Sequence, residues 1–370
     1  MTSDSGSVHN IHYGDILVKY NEVVSLLHHN VDCLTVEGET HSPKDYVRDG
    51  DIIIADTAED ETVGKTVEIQ DVGNRKVVAG LHTFLYRPPP NLFVRGWLGY
   101  WMNSSAYHSQ LFQYMTGTKV LSLTRASIAA TVIQYPSKEL QRQIVTALDS
   151  IQTQINATQK LIAKYEAIKK ATVNLLLAPK GTHTVRLGEV AEISRGGSPR
   201  PIQDFITADP CGINWIKIGD VSVDVKYIEQ TEERIKPTGI AMSRQVKAGD
   251  FILSNSMSFG RPYILKIDGC IHDGWLAIQN YQNTFDVDYL YYLLGSDMVF
   301  TQYVENAAGS SVKNLNKDIV AKIRLPAPSL SEQREIAERI TAIDKVLVDC
   351  RKQLDKVQNL KHGMMSYFFG

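Results

Sequence analysis

Two long stretches of this chain carry hydrophobic residues every three or four positions. In the first, Ile144, Leu148, Ile151, Ile155, Ile162, Tyr165, Ile168 and Leu175 form the stripe, with Thr158 and Thr172 at two otherwise apolar places. In the second, Ile336, Ile340, Ile343, Leu347, Cys350, Leu354, Val357, Leu360, Met364 and Tyr367 form it. A stripe repeating every 3.5 residues is a coiled-coil seam, and the charged remainder faces water. Pro136 and Pro328 fix the entries. Ser329 and Glu332 make an S-x-x-E capping box, which predicts that the second helix starts near Ser329. About forty residues at 1.5 Å each give a rod of roughly 60 Å. Seams this long want a partner helix, and each helix can supply the other's; the blander alternative is two surface helices, each packed on its own domain.

The two stretches are copies. PSKELQRQIVTALDSIQTQI from Pro136 returns as PSLSEQREIAERITAIDKVL from Pro328, an offset of 192 (328 less 136) that holds without a gap to the C-terminus. Upstream, Phe93, Leu98, Tyr100, Gly117, Val120 and Leu123 match Phe285, Leu290, Tyr292, Gly309, Val312 and Leu315 at the same offset. Further back the offset drifts: Leu81-His82 pairs with Ile271-His272, Gly64-Lys65 with Gly260-Arg261, Gly50-Asp51 with Gly249-Asp250, and IHYGD (Ile11–Asp15) with IKIGD (Ile216–Asp220). Drift means insertions and deletions between anchored strands, as when one scaffold carries different surface loops. The second copy also has a strand-like entry, Thr184–Ile193 (TVRLGEVAEI), where the first has only Met1–Asn10 before IHYGD. Either the first domain has lost its opening element or the chain is shorter than its relatives at the N-terminus.

Between the helices lie short apolar runs broken by glycine and charge, at Asp51–Ala55, Lys76–Ala79, Phe251–Ser254, Tyr263–Ile267 and Ile271–Gln279, which predict strands. Leu98–Met102 and Tyr289–Leu294 predict a short helix in each half, and Ala178-Pro179-Lys180-Gly181 a linker. The predicted architecture is α/β (α+β), a pseudo-twofold repeat. A first globule covers 1–136, the first long helix 137–178, a second globule 179–328 and the second long helix 329–370.

Composition narrows the function. The chain has 370 residues, 43% hydrophobic and 22% charged, enough for two ordinary soluble domains with sizeable cores. No run approaches the roughly 20 apolar residues of a membrane helix, and MTSDSGSV lacks a signal peptide's basic start and apolar core, so a cytoplasmic location without membrane contact is expected. Cys33, Cys211, Cys270 and Cys350 are scattered without a C-x-x-C pair, which argues against a disulfide framework or a zinc site. A net charge of -2 argues against a strongly basic, self-sufficient nucleic-acid binder, but not against one with its cations on one face or one that shares DNA with partners.

Catalytic motifs are largely missing. Val63-Gly64-Lys65-Thr66 resembles the end of a phosphate loop, but Glu59 stands where that loop needs glycine, and the repeat partner Phe259-Gly260-Arg261-Pro262 cannot form one. A turn glycine followed by a cation in both halves suggests a hairpin delivering positive charge, against the plainer reading of a bare turn. His82 and His272 recur without a carboxylate or cysteine recurring beside them. Pro88-Pro89-Pro90-Asn91 has the letters of an amino-methyltransferase [ND]-P-P-[YFW] segment in the wrong order.

Two variable globules, each followed by a long helix beginning P-S-x-x-x-Q-R-x-I, with the IHYGD, GDI, LHT and RLGEV pieces, resemble the specificity subunit of type I restriction-modification enzymes over essentially the whole chain. The resemblance implies one target-recognition domain per half of a split DNA site and an antiparallel helix pair as a ruler between them. It implies a non-catalytic subunit that binds double-stranded DNA and docks two modification subunits, which use S-adenosylmethionine. Restriction subunits using ATP and Mg would complete the assembly, and this chain would bind no cofactor. The short N-terminus departs from that pattern.

Candidate DNA contacts are polar or basic loop residues: Thr118, Lys119 and Arg125 in the first globule, and Ser310, Ser311, Lys313, Asn314 and Lys317 at equivalent places in the second. Weaker candidates are Lys65, Arg75, Lys76, Arg195, Arg200, Arg244 and Arg261, since most Lys and Arg are solvated anyway. A combined methyltransferase and nuclease would need motifs that are absent. A coiled-coil protein scaffold without base recognition accounts for the rod but not for two divergent loop-bearing globules.

Overall fold

The computed structural model describes residues 8–27, 31, 41–177, 183–221, 225–255, 260–307 and 315–370. The chain forms two compact units, Met1–Lys160 with Arg351–Gly370, and Leu161–Cys350. Both long helices are present, at Lys138–Leu176 and Leu330–Phe369, and both unit boundaries fall inside them. Each unit therefore owns the start of one helix and the end of the other, a different division from the four consecutive segments read from the sequence. The linker Ala178–Gly181 and Cys33 lie outside the described residues.

Each unit is built on the same sheet. In the first, Val23–Ser25, Thr66–Gln70, Ile52–Ala55 and Thr83–Tyr86 lie side by side in that order, the first pair parallel and the others antiparallel. In the second, Tyr227–Ile228, Pro262–Leu265, Phe251–Ser254 and Trp275–Gln279 repeat that order and those directions, and Glu192–Arg195 adds a fifth strand beyond Trp275–Gln279. The central strands read as unbroken apolar runs because both faces are covered: Ile52, Ile53, Ile54 and Ala55 are all fully buried.

Two sequence readings need correction. The run Ile271–Gln279 is not one strand: Gly269–Ile271 and Trp275–Gln279 belong to different sheets, separated by a turn at His272–Gly274. Thr184–Ile193 is likewise a strand (Thr184–Arg186), a helical turn (Leu187–Val190) and another strand (Glu192–Arg195). The Leu-Gly pair, and the Arg186 N–H donating to the Glu189 carboxylate at 3.3 Å, favour the turn over a continuous strand.

Apolar side chains pack across the two helices within each unit. In the first, Ile151 and Ile155 meet Val357, with Leu354 and Met364 beside them, while Ile144, Val145 and Leu148 share a core with Met365 and Phe369. Earlier residues of one helix meet later residues of the other, so the pair is antiparallel. In the second, Leu177 and Val173 share a core with Ile336, Ala337 and Ile340. Leu347 is buried, and Ile162 and Ile343 are half-buried.

Ile168, Leu175, Leu360 and Tyr367 do not belong to the seam: they are 39%, 76%, 53% and 83% exposed. A strict heptad places the inward positions one residue later, at Lys169 and Leu176 in the first helix and at Lys361 and Phe368 in the second. The lysines make a polar layer, built twice. Lys361 Nζ lies 2.6 Å from Gln152 Oε1 and 2.5 Å from Glu22 Oε2, and 5.7 Å from the centre of the Tyr100 ring. Lys169 Nζ lies 2.7 Å from Asp344 Oδ1 and 5.7 Å from the Tyr292 ring. Tyr100 donates to Asp149 at 2.7 Å and Tyr292 to Asp344 at 2.8 Å. Burial, with carboxylates beside them, pushes both phenols well above their usual range.

Candidate nucleic-acid interface

In each unit four segments converge at one edge of the sheet. In the second unit Asn255 ends the strand Phe251–Ser254. Its N–H donates to the Gly274 carbonyl at 3.0 Å, its Nδ2 to the Asp273 carbonyl at 2.9 Å, and its own carbonyl accepts from Leu315 N–H at 2.9 Å. Asp56 does the same in the first unit, donating to the His82 carbonyl at 3.1 Å and accepting from Leu123 at 2.8 Å. The turn glycines close the edge, Gly64 donating to Ala55 and Gly260 to Ser254, with φ of +90° and +75° that favour glycine.

The helices Arg125–Ala129 and Lys317–Lys322 start at this edge, capped by Thr124 and Asn316. Asn316 Oδ1 accepts from Asp318 and Ile319 at 3.0 Å each. Arg125 and Lys317 are both the first helical residue and both exposed. A cation gains nothing from the helix dipole there, so stability does not explain its presence twice. The Arg125 guanidinium lies 5.5 Å from the Phe84 ring centre. Thr118 and Lys119 ride an exposed turn whose base pairs Thr57–Ala58 with Leu121–Ser122. Gly117 is required in it, because a Cβ would sit 1.9 Å from the Val120 carbonyl.

The second unit gathers Arg195, Arg200 and Arg244 about the His272–Gly274 turn. Arg195 Nε donates to the Asp273 carbonyl at 3.2 Å, Arg200 lies 3.7 Å from the Asp273 carboxylate, and Arg244 stands opposite Ile271 in its strand pair. His272 approaches the same carboxylate at 3.0 Å and Ser198 donates to it at 3.1 Å, so Asp273 orients the group while offsetting part of its charge. In the first unit Asp56 and His82 approach to 3.4 Å. Ser310, Ser311, Lys313 and Asn314 lie outside the described residues.

Other candidates sit elsewhere or point inward. Lys65 is half-buried and donates to the Leu17 carbonyl at 2.9 Å, and burial pulls its ammonium below the usual range. Arg261 is also half-buried, with its charge near the Tyr291 hydroxyl, which burial pushes up to about 12. The expected hairpin is present as a glycine turn, but its cations face the protein. Arg75 and Lys76 follow the far end of the strand Thr66–Gln70, about 15 Å along from Lys65. The recurring aspartates are turn formers: Asp15, Asp220, Asp51 and Asp250 accept the backbone N–H three residues upstream, at 3.2, 2.8, 2.8 and 2.8 Å. Among the described residues no cluster of His, Cys, Asp and Glu could hold a metal ion, and no helix is long and apolar enough to cross a membrane.

The glutamine of P-S-x-x-x-Q-R is the functional position that periodicity overlooks. Gln141 and Gln333 are buried under the helix starts. Gln141 Oε1 accepts from Val94 N–H at 2.8 Å and its Nε2 donates to the Pro136 carbonyl at 3.0 Å. Gln333 does the same with Asp286 N–H at 2.8 Å and the Pro328 carbonyl at 2.9 Å, and reaches the Thr284 carbonyl at 2.9 Å. Its identity in both copies was the available signal.

Two similar units, each with a sheet edge carrying its own set of polar groups and packed on parts of both long helices, define a protein built as an internal repeat. The model of the type I restriction modification DNA specificity domain matches residues 179–358. The type I restriction enzyme MjaX specificity subunit of Methanocaldococcus jannaschii is 23% identical over 86% of this chain and 77% of its own length. The MjaVIII specificity subunit of the same organism is 23% identical over 68% of this chain and 64% of its own. In fold, the chain is similar to one from a structure on assembly and conformational transition of the type I R-M system, with TM-score 0.60, 19% identity and coverage of 98% and 90%. It is also similar to the type I restriction-modification system S subunit from M. genitalium, with TM-score 0.57, 13% identity and coverage of 100% and 90%. The matched domain, which covers just under half of the chain, and these relatives make it similar to the type I restriction-modification specificity subunits, the DNA-recognition rather than the catalytic subunits of those systems.

Proposed function

We propose that the two units read the two halves of a bipartite, asymmetric DNA site, one unit to each half. The observation behind this reading is the same hydrogen-bonded edge built twice with different side chains: Asp56, Thr118, Lys119 and Arg125 in one unit, and Asn255, Asp273, Arg195, Arg200 and Lys317 in the other. Equal scaffolds with unequal polar groups suit two different base sequences, since base contacts specify while the frame positions them. The chain docks two modification subunits that use S-adenosylmethionine, and restriction subunits that use ATP and Mg complete the assembly. Its long helices hold the half-sites at a fixed separation.

Exchanging 184–328 for the matching globule of a relative, then mapping methylation by the assembled complex, tests the reading. One half-site is expected to change and the other to persist. Change in both would overturn the one-unit, one-half assignment.

A further inference from the structure

In the second unit the loop Arg195-Gly196-Gly197-Ser198-Pro199-Arg200-Pro201 lies closer to the turn His272–Gly274 than side chains would allow. A Cβ on Gly196 would come 2.1 Å from the His272 carbonyl oxygen, and one on Gly197 2.9 Å from that of Met242. Gly196 N–H donates to the Trp275 carbonyl at 2.9 Å and Gly197 N–H to that of Ile271 at 3.1 Å. Ser198 closes the contact, its Oγ donating to Asp273 Oδ1 at 3.1 Å and accepting from Asp273 N–H at 3.4 Å. Pro199 and Pro201 restrict the backbone on either side of Arg200. The loop therefore carries two exposed arginines, Arg195 and Arg200, on a fixed frame.

The hydrogen bonds of the turn engage its acceptors and leave donors over. The Asp273 carbonyl accepts from Asn255 Nδ2 at 2.9 Å and from Arg195 Nε at 3.2 Å. One carboxylate oxygen of Asp273 takes Ser198 and the His272 ring, and the other faces Arg200 at 3.7 Å. Gly274 N–H donates to His272 Nδ1 at 3.0 Å, which leaves the ring proton on Nε2, toward that carboxylate. With Nε anchored, the plane of the Arg195 guanidinium is set, and its two terminal amino groups meet no hydrogen-bond partner among the described residues. The Arg200 side chain is 82% exposed and makes no hydrogen bond among them either.

A fork of two parallel N–H donors with no acceptor left beside it selects among the bases. In the major groove guanine offers two adjacent acceptors, O6 and N7, whereas adenine sets a donor beside its acceptor and cytosine offers a donor. Arginine has donors only, so it cannot accept from either amino group. We propose that Arg195 reads a guanine in the half-site of the second unit, its terminal amino groups donating to O6 and N7. Arg200 adds donors to the same contact, and Asp273 is the positioning residue that holds both arginines. The inference rests on the proposed reading of this unit as a DNA reader and names the base that it takes. A phosphate also accepts an arginine fork, but a mobile side chain serves it equally well; the anchored Nε and the clamped loop are the preorganisation that a base contact needs.

The test uses the chain assembled with its modification subunits and a duplex carrying the site that its methylation maps. Guanines are replaced one at a time by 7-deazaguanine, which lacks N7, or by inosine, which lacks only the minor-groove amino group. In the half-site that changes when 184–328 is exchanged, one guanine is expected at which 7-deazaguanine lowers affinity on the order of 10-fold and inosine does not. Arg195→Ala should erase that difference, and Arg195→Lys, which keeps the charge without the fork, should not restore it. Asp273→Asn should weaken the preference for guanine while strengthening binding to unrelated duplex and steepening its salt dependence, because a carboxylate beside two arginines is lost. A merely structural role for Asp273 would weaken both kinds of binding. No sensitive guanine in that half-site, or a loss uniform over sequence that Arg195→Lys restores, overturns the inference, the second by making Arg195 a phosphate contact. If both half-sites change on the exchange while Arg195→Ala still erases the sensitive guanine, Arg195 stands as its reader and only the one-unit, one-half assignment falls.

Discussion

Gln141 and Gln333 explain why the helices begin where they do. Each satisfies a loop N–H and a proline carbonyl that burial would otherwise leave unpaired, so the helix start and the globule are fixed by one side chain. Gln141→Leu keeps the volume and strands both backbone groups, at about 1–3 kcal/mol each. The expected result is a lower melting temperature and faster exchange of the Val94 amide, with Gln333→Leu doing the same at Asp286. A second residue-scale prediction concerns His108, which burial pulls below the usual imidazole range. The folded state then holds the ring neutral while the unfolded chain takes up a proton below about pH 6.5, so the contribution is present above that pH and lost on acidification. His108→Asn should reduce the fall in melting temperature between about pH 7 and about pH 5. An unaltered pH profile would remove His108 from the account.

At the scale of elements, the helices show both the reach and the limit of pattern reading. Their existence, ends and capping box were legible, and Ser329 and Glu332 bond as the motif requires, Ser329 N–H donating to the carboxylate at 2.9 Å. The last turns defeat a purely apolar pattern, because Ile168, Leu175, Leu360 and Tyr367 look like seam residues whereas the heptad selects Lys169, Leu176, Lys361 and Phe368 instead. Apolar identity is a weaker guide than phase where a lysine can bury its stem along a tyrosine ring and reach a carboxylate at the far side. Single substitutions separate the two assignments. Lys361→Met leaves Glu22 and Asp149 without their cation and should cost about 2–4 kcal/mol, as for a mostly buried ion pair broken on one side. Leu360→Ser, at an exposed position, should stay within about 0.5 kcal/mol. Leu347→Asp, at a buried position, should cost several kcal/mol, roughly that of an unpaired buried charge. Chemical denaturation of the three variants orders them, and a costly Leu360→Ser beside a neutral Lys361→Met would restore the apolar seam.

For the whole molecule, the repeat was legible because helices and glycine turns constrain sequence at fixed spacing. The proposed recognition edge is only partly so. Lys65 and Arg261 point inward for tertiary reasons, and Asp273 is invisible as an organiser until Arg195, Arg200, Ser198 and His272 are brought around it. What the chain does as a unit follows from its connectivity. It leaves the first unit within one long helix and returns within the other, so the covalent links between the two units are both helical. Seven residues inserted after Lys160 and seven after Lys352 keep both heptads in phase and lengthen each helix by about 10 Å. Along a duplex at 3.4 Å per base pair, that corresponds to roughly three more unread base pairs between the half-sites. The half-site sequences themselves should stay as they were, because nothing at either recognition edge has moved within its unit. Methylation mapping with the assembled complex reads the spacing directly. A spacer of unchanged length, in a complex still folded and active, would show that something other than these helices sets the distance.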